Sequence, residues 1–186
     1  MLYHASQTPN ITTLTPHTSN HGTPLIYFSS KRENVLVYLS NAVEKHCRET
    51  SFPHNGKYRK WASYGFTENG ILRLDEYWQN ATPDTYKGVS GYIYAVSEKH
   101  LTPMSDIPFA YTSTTPVPVD SCEFVHDAYQ ALLSAAEEGK IILTSYHQNS
   151  SRMLDWIKAT VTKEYESSQD SPEHRFFLKS KFDFLP

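Results

Sequence analysis

Cysteine is scarce in this chain: Cys47 and Cys122 stand far apart and share no C-x-x-C spacing. That removes a disulfide framework and a thiolate zinc site, and it fits reduced thiols in a cytoplasm. Long apolar runs are missing as well. No stretch approaches the roughly 18 apolar residues of a membrane span, and Met1-Leu2-Tyr3-His4 lacks the basic segment and apolar run of a secretory leader. A soluble, cytoplasmic protein is expected. Charge of one sign forms no block. With 17 basic and 20 acidic residues and a formal net charge of -3, the chain has no electrostatic footprint for nucleic acid. No G-x-G-x-x-G, P-loop, G-x-S-x-G or H-E-x-x-H occurs, so the commonest phosphate, nucleophile and zinc signatures are excluded. No internal repeat is present.

Aromatic residues are plentiful, at 13% with 13 Tyr and 3 Trp, and must line either a core or a concave surface. At 186 residues the chain is about one domain long, so a single domain over residues 1–186 is expected. Its organising stretch is Pro24-Leu25-Ile26-Tyr27-Phe28-Ser29-Ser30. The apolar, aromatic run predicts a buried strand, with Pro24 tolerated only at its first position. Ser30 with Glu33 three residues on matches a capping box, predicting one helix from Lys31 to about Arg48. Upstream, Leu2-Tyr3-His4-Ala5-Ser6 predicts a second strand. Between them, Gln7 to Gly22 is a polar loop anchored by Ile11 and Leu14. Its His17 and His21 would grip a metal on one helical turn, but Pro16, Gly22 and the Thr/Ser/Asn content oppose a helix, so no metal site is expected.

Farther on, Asn69-Gly70 predicts a hairpin between Trp61 to Phe66 and Gly70 to Tyr77. Trp78 to Gly88 reads as a loop, Gly91 to Val96 and Phe109 to Ser113 as strands, and Val117 to Val119 as an edge strand. A helix near Phe124 should stop at Gly139, and Ser150 or Ser151 should cap another after the strand Ile141 to Ser145. Asp75 and Glu76 are adjacent in a strand and point to opposite faces, which discounts them as a catalytic pair. Strands and helices do not alternate strictly. The expected class is therefore α+β with largely antiparallel sheets and flanking helices.

Tyr3-His4-Ala5-Ser6 resembles the first motif of the ADP-ribosyltransferase fold in its histidine-containing branch, and Ile26-Tyr27-Phe28-Ser29 resembles the second. The layout is most similar to small rifampin ADP-ribosyltransferases and their bacterial relatives, and Gly91 to Val96 looks like a core strand of that fold. The likeness covers residues 2–119. It implies two packed sheets forming a split core over that span, with residues 120–186 a helical C-terminal extension packed on it.

The resemblance further implies NAD as substrate. His4 would hold ribose hydroxyls, the backbone at Ala5 would face the carboxamide, Ser6 would add a hydroxyl, and nicotinamide would stack on Tyr27 beside Ser29. Ala5 departs from the family's Gly and narrows the approach of the ring. Cleaving the nicotinamide glycosidic bond builds positive charge on the ribose, so a carboxylate is wanted nearby. By position, Asp106 is the first candidate for that acid and Glu98 the second. Two readings follow: an NAD-dependent ADP-ribosyltransferase or NAD-cleaving enzyme with an unknown acceptor, and a non-catalytic member of the fold that binds a nucleotide or a protein partner. The apolar tail Phe176 to Leu185 either docks on its own domain or supplies a surface for self-association.

Overall fold

The computed structural model describes residues 1–18, 22–56, 63–97 and 100–186. In chain order it contains β1 (Leu2–Ser6), β2 (Thr13–Leu14), β3 (His17–Thr18), β4 (Pro24–Ser29), a 3-10 segment (Arg32–Leu39), α1 (Ala42–Glu49), β5 (Ser63–Phe66) and β6 (Leu72–Asp75). There follow α2 (Ala81–Tyr86), β7 (Gly91–Val96), β8 (Thr102–Pro103), β9 (Ala110–Ser113), β10 (Val117–Pro118), β11 (Ser121–Val125) and α3 (Ala128–Glu137). The chain ends with β12 (Ile141–Thr144), a 3-10 turn (Tyr146–Gln148), α4 (Ser151–Ser167) and α5 (Pro172–Lys181). The class is α+β with antiparallel sheets. Among the described residues no helix is long and apolar enough to cross a membrane.

Two compact units divide the chain. The first holds Met1–Ser40, Tyr64–Arg73 and Tyr86–Leu143, and the second holds Asn41–Ser63, Leu74–Thr85 and Thr144–Pro186. The boundary expected at residue 119 falls inside the first unit, because β11 pairs along β7, with Phe124 opposite Tyr92 and Cys122 opposite Tyr94. That pairing corrects the helix expected near Phe124: the helix begins four residues later, at Ala128, behind its cap Asp127.

In the first unit, a seven-stranded sheet runs β11-β7-β1-β4-β9-β8, with β3 added alongside β4. One face carries Ile26, Phe28, Tyr94 and Val96, and β2 and β10 close over it with Leu14 and Val117. The Tyr94 hydroxyl donates to the Thr8 carbonyl at 2.6 Å and accepts from the Ile11 N–H, which pins the polar loop after β1. The opposite face, with Ala5, Gly91 and Ile93, lies against the 3-10 segment. Gly91 is required there, since a Cβ would sit 2.6 Å from the buried Leu39 side chain and 3.1 Å from the Ser6 carbonyl oxygen.

The single helix expected from Lys31 to Arg48 is broken. Asn34, Val35, Leu36 and Val37 are four consecutive buried residues, a pattern without the exposed stripe of a surface helix, and the segment winds as a tighter 3-10 helix instead. Ser40 is extended, and Asn41 caps α1 by accepting the Glu44 N–H at 3.0 Å. The expected capping box at Ser30 is not made. Its N–H donates to the Phe109 carbonyl, and the hydroxyl that receives the Lys31 N–H belongs to Ser29.

The Asn69-Gly70 hairpin forms: Gly70 takes φ +73° and its N–H donates to the Thr67 carbonyl at 2.8 Å. Trp61, expected in its first strand, lies outside the described residues. Gly139, at φ +71°, ends α3 as a Schellman motif, with Lys140 N–H on Ala135 and Gly139 N–H on Ala136.

In the second unit, α1, α4 and α5 bury Val43, Cys47, Ile157, Val161, Phe177 and Leu178 in one core. Ser150 caps α4 as expected, accepting the Met153 N–H. Phe177, Leu178 and Phe182 of the apolar tail are buried in this core, whereas Phe184 is exposed. The loop expected from Trp78 to Gly88 contains α2, because Pro83 falls in a first turn that needs no N–H from it. Glu76 is a structural clamp: its carboxylate accepts from the N–H of Thr82 at 2.9 Å and of Tyr146 at 3.2 Å.

Asp127 caps α3 through the N–H groups of Tyr129 and Gln130 and also accepts from Gly88 N–H at 2.9 Å. Replacing Asp127→Ala strands these donors and is expected to cost about 1–2 kcal/mol in urea unfolding. Asp127→Asn, which keeps an acceptor oxygen, should lose less; equal losses would show that the cap is not what matters.

Candidate functional site

The register of β1 on β4 decides which predicted residues can meet. Tyr3 stands opposite Ser29, and directly opposed residues share a face of the sheet. Tyr27, two residues before Ser29, therefore points to the Tyr3 face. His4 points to the other face, where it meets the Phe28 ring edge-on at 6.0 Å between centroids and lies opposite Tyr94. The His4 imidazole and the Tyr27 phenol do not converge.

What joins these two residues is a backbone bond. His4 Nδ1 lies 2.8 Å from the Tyr27 carbonyl oxygen, so the ring nitrogen donates and the carbonyl accepts. Burial lowers the His4 pKa, the bond to Tyr27 partly opposes this, and nearby His17 lowers it further. The imidazole is thus a neutral staple between two strands. Ser6 lies on the His4 side, opposite Tyr92, and its hydroxyl accepts from Thr8 N–H at 3.1 Å. Ala5 is buried opposite Ile93, on the Tyr27 side.

Tyr27 and Ser29 instead wall a small open cleft within the first unit, with a cavity volume of about 30 Å³. The 3-10 segment adds Asn34, Val35 and Tyr38, and β5 adds Phe66. The loop before β9 completes it with Met104, Ile107, Pro108 and Ala110. Tyr38 is exposed and meets Tyr64 edge-on at 5.8 Å, giving the mouth an aromatic rim. Ser29 and Asn34 are buried polar groups in an otherwise apolar and aromatic lining.

Of the predicted acids, Asp106 is exposed and immediately precedes Ile107, one of the lining residues. Glu98 lies outside the described residues, as does His21. Among the described residues no cluster of three His, Cys, Asp or Glu side chains could hold a metal. Asn34 was not singled out by sequence reasoning. A regular helix from Lys31 assigns it to the polar side, and only the 3-10 geometry brings it in beside Ser29; its one signal is a lone amide directly before Val35-Leu36-Val37.

No known family, no curated protein and no solved structure matches this chain.

The staple at His4 carries a pH dependence. Above about pH 6.5 the imidazole is neutral in both the folded and the unfolded chain, and its contribution to stability is complete. As pH falls from there toward the lowered folded value, the unfolded chain takes up a proton that the folded chain resists, so stability falls. Urea unfolding between pH 7.5 and 5 should show this loss, with a shallower slope in His4→Gln. The same slope in both proteins would remove His4 as its source.

Proposed function

We propose that the first unit binds a nucleotide by a flat, amide-bearing ring, of which the nicotinamide end of NAD is the leading case. The observation that carries this reading is the pocket itself, in which the rings of Tyr27 and Tyr38 stand beside the buried polar groups Ser29 and Asn34. Tyr27 offers a face for stacking. The Ser29 hydroxyl accepts from Lys31 N–H at 3.1 Å and retains the capacity to donate to a ligand oxygen.

His4 has no place in this reading except as the strand staple, which separates it from the resemblance that first suggested NAD. A second reading, an NAD-dependent ADP-ribosyltransferase with an unidentified acceptor, is favoured by Asp106. That carboxylate immediately precedes the pocket-lining residues Ile107 and Pro108. An acid at the rim would stabilise the positive ribose as the carbon–nitrogen bond to nicotinamide breaks.

Calorimetry on the full chain with NAD, ADP-ribose and nicotinamide tests both readings. Tyr27→Ala should weaken NAD binding by roughly tenfold to a hundredfold, the value of one lost stacking face. His4→Ala should leave the affinity of the folded protein within a factor of about two, since the imidazole is on the other side of the sheet. Saturable binding without nicotinamide release supports a binding module. Release of nicotinamide that is abolished by Asp106→Asn, with binding retained, supports the enzyme. Absence of binding to all three compounds would retire both.

A further inference from the structure

The seven-stranded sheet ends differently on its two sides. At one end β8 is cut to Thr102–Pro103, a strand so short and so placed on a proline that further pairing is blunted. At the other end β11 runs through Ser121–Val125 with neither proline nor lysine, and Ser121, Cys122, Glu123 and Phe124 are all exposed. The Ala95 carbonyl accepts the Asp120 N–H at 3.0 Å, so the Ala95 backbone faces β11, and Ser121, directly opposite, faces back. Bonding direction alternates along a strand. Cys122 and Phe124 therefore turn their N–H and C=O groups outward, where among the described residues no strand pairs with them.

Cys122 and Phe124 share one face of this edge. The Phe124 ring is 44% exposed and stands beside Tyr92 at 5.1 Å and His126 at 4.7 Å between centroids. On the other face Arg32 grips Glu123 in a fork, its Nε donating to Oε2 at 2.7 Å. The charge that would otherwise guard the edge is thus neutralised within the chain.

We propose that β11 is a dimerisation edge, which takes β11 of a second copy of this chain antiparallel about a two-fold axis at Glu123. Cys122 then lies opposite the partner's Phe124, and each such pair exchanges both backbone bonds. A large ring meets a small side chain on each side of the axis, as an isologous contact requires. At the axis two carboxylates face each other, which bare charges would not tolerate. Each brings its own Arg32, so the centre of the contact carries no net charge. Both matches come from the chain's own sequence, which selects a second copy over an unrelated extended segment.

Sedimentation of the full chain across a concentration series tests this. A contact built on one strand pair is small, so the dimer should be reversible, with a dissociation constant on the order of 10–100 µM. Phe124→Lys sets a charge on the open edge, and Cys122→Pro removes an outward N–H that the monomer does not use; each should weaken the dimer by at least about tenfold. Should proline disturb the strand, Phe124→Lys decides alone. Trp156→Lys removes a ring that is 49% exposed on α4, away from this edge, and should leave the dimer unchanged. The native thiol supplies a second readout, because Cys122 is exposed and Cys47 is buried. Alkylation of Cys122 should slow as the chain concentration rises through the dimer range. A dimer that survives Phe124→Lys, one dissolved by Trp156→Lys alone, or one that leaves the alkylation rate unchanged would overturn the inference. A wild-type chain that stays monomeric to about 1 mM would leave the edge to a segment of another protein and overturn it equally.

Discussion

The antiparallel register of β1 on β4, with Tyr3 opposite Ser29, is the constraint on which the first unit depends. It places Phe28 and His4 over one hydrophobic layer and Tyr27 and Ser29 toward the other side, and a slip of one residue would exchange every side chain between the faces. The His4 Nδ1 donor on the Tyr27 carbonyl reinforces that register from a side chain, at 2.8 Å. His4 thus has a clear task in the fold, that of a neutral buried donor. Its position between Phe28 and Tyr94 accounts for the depressed pKa without any ligand.

The second constraint is the burial of Asn34 to Val37 on all sides. A helix at a surface needs an exposed stripe, and here four consecutive residues, Asn34 to Val37, are buried. The chain answers with a 3-10 segment beneath the sheet, close enough that Gly91 has no room for a side chain. Extended 3-10 segments are uncommon, because their hydrogen bonds are poorer than those of an α-helix. This one carries Asn34 and Tyr38 to the pocket that Tyr27 and Ser29 wall from β4. Packing and pocket are therefore two consequences of one local choice.

Much of the fold was legible in particular residues. The Asn69-Gly70 turn, the Gly139 stop, the Ser150 cap and the strand Gly91 to Val96 each rest on local chemistry that acts over a few residues, and each is present. The errors share a different cause. The helix drawn from Lys31 to Arg48, the cap at Ser30 and the loop over α2 all treated a local pattern as decisive where burial or a neighbouring segment overrode it. The Ser30 N–H, for example, goes to Phe109, almost eighty residues away in the chain.

The sequence by itself determined the class, the turns, most of the strands and the helical faces of α1, α3 and α4, because propensity, capping and hydrophobic period operate within one element. It also supplied Tyr27 and Ser29, which alternate on one strand and so share a face under any pairing. Only the tertiary structure decided that His4 belongs to the opposite face, that Asn34 turns inward and that Asp106 stays exposed beside the pocket-lining loop. Those placements depend on which strands pair, in what register, and on how tightly a buried segment must wind to fit beneath them. These are relations between distant parts of the chain that no local pattern contains.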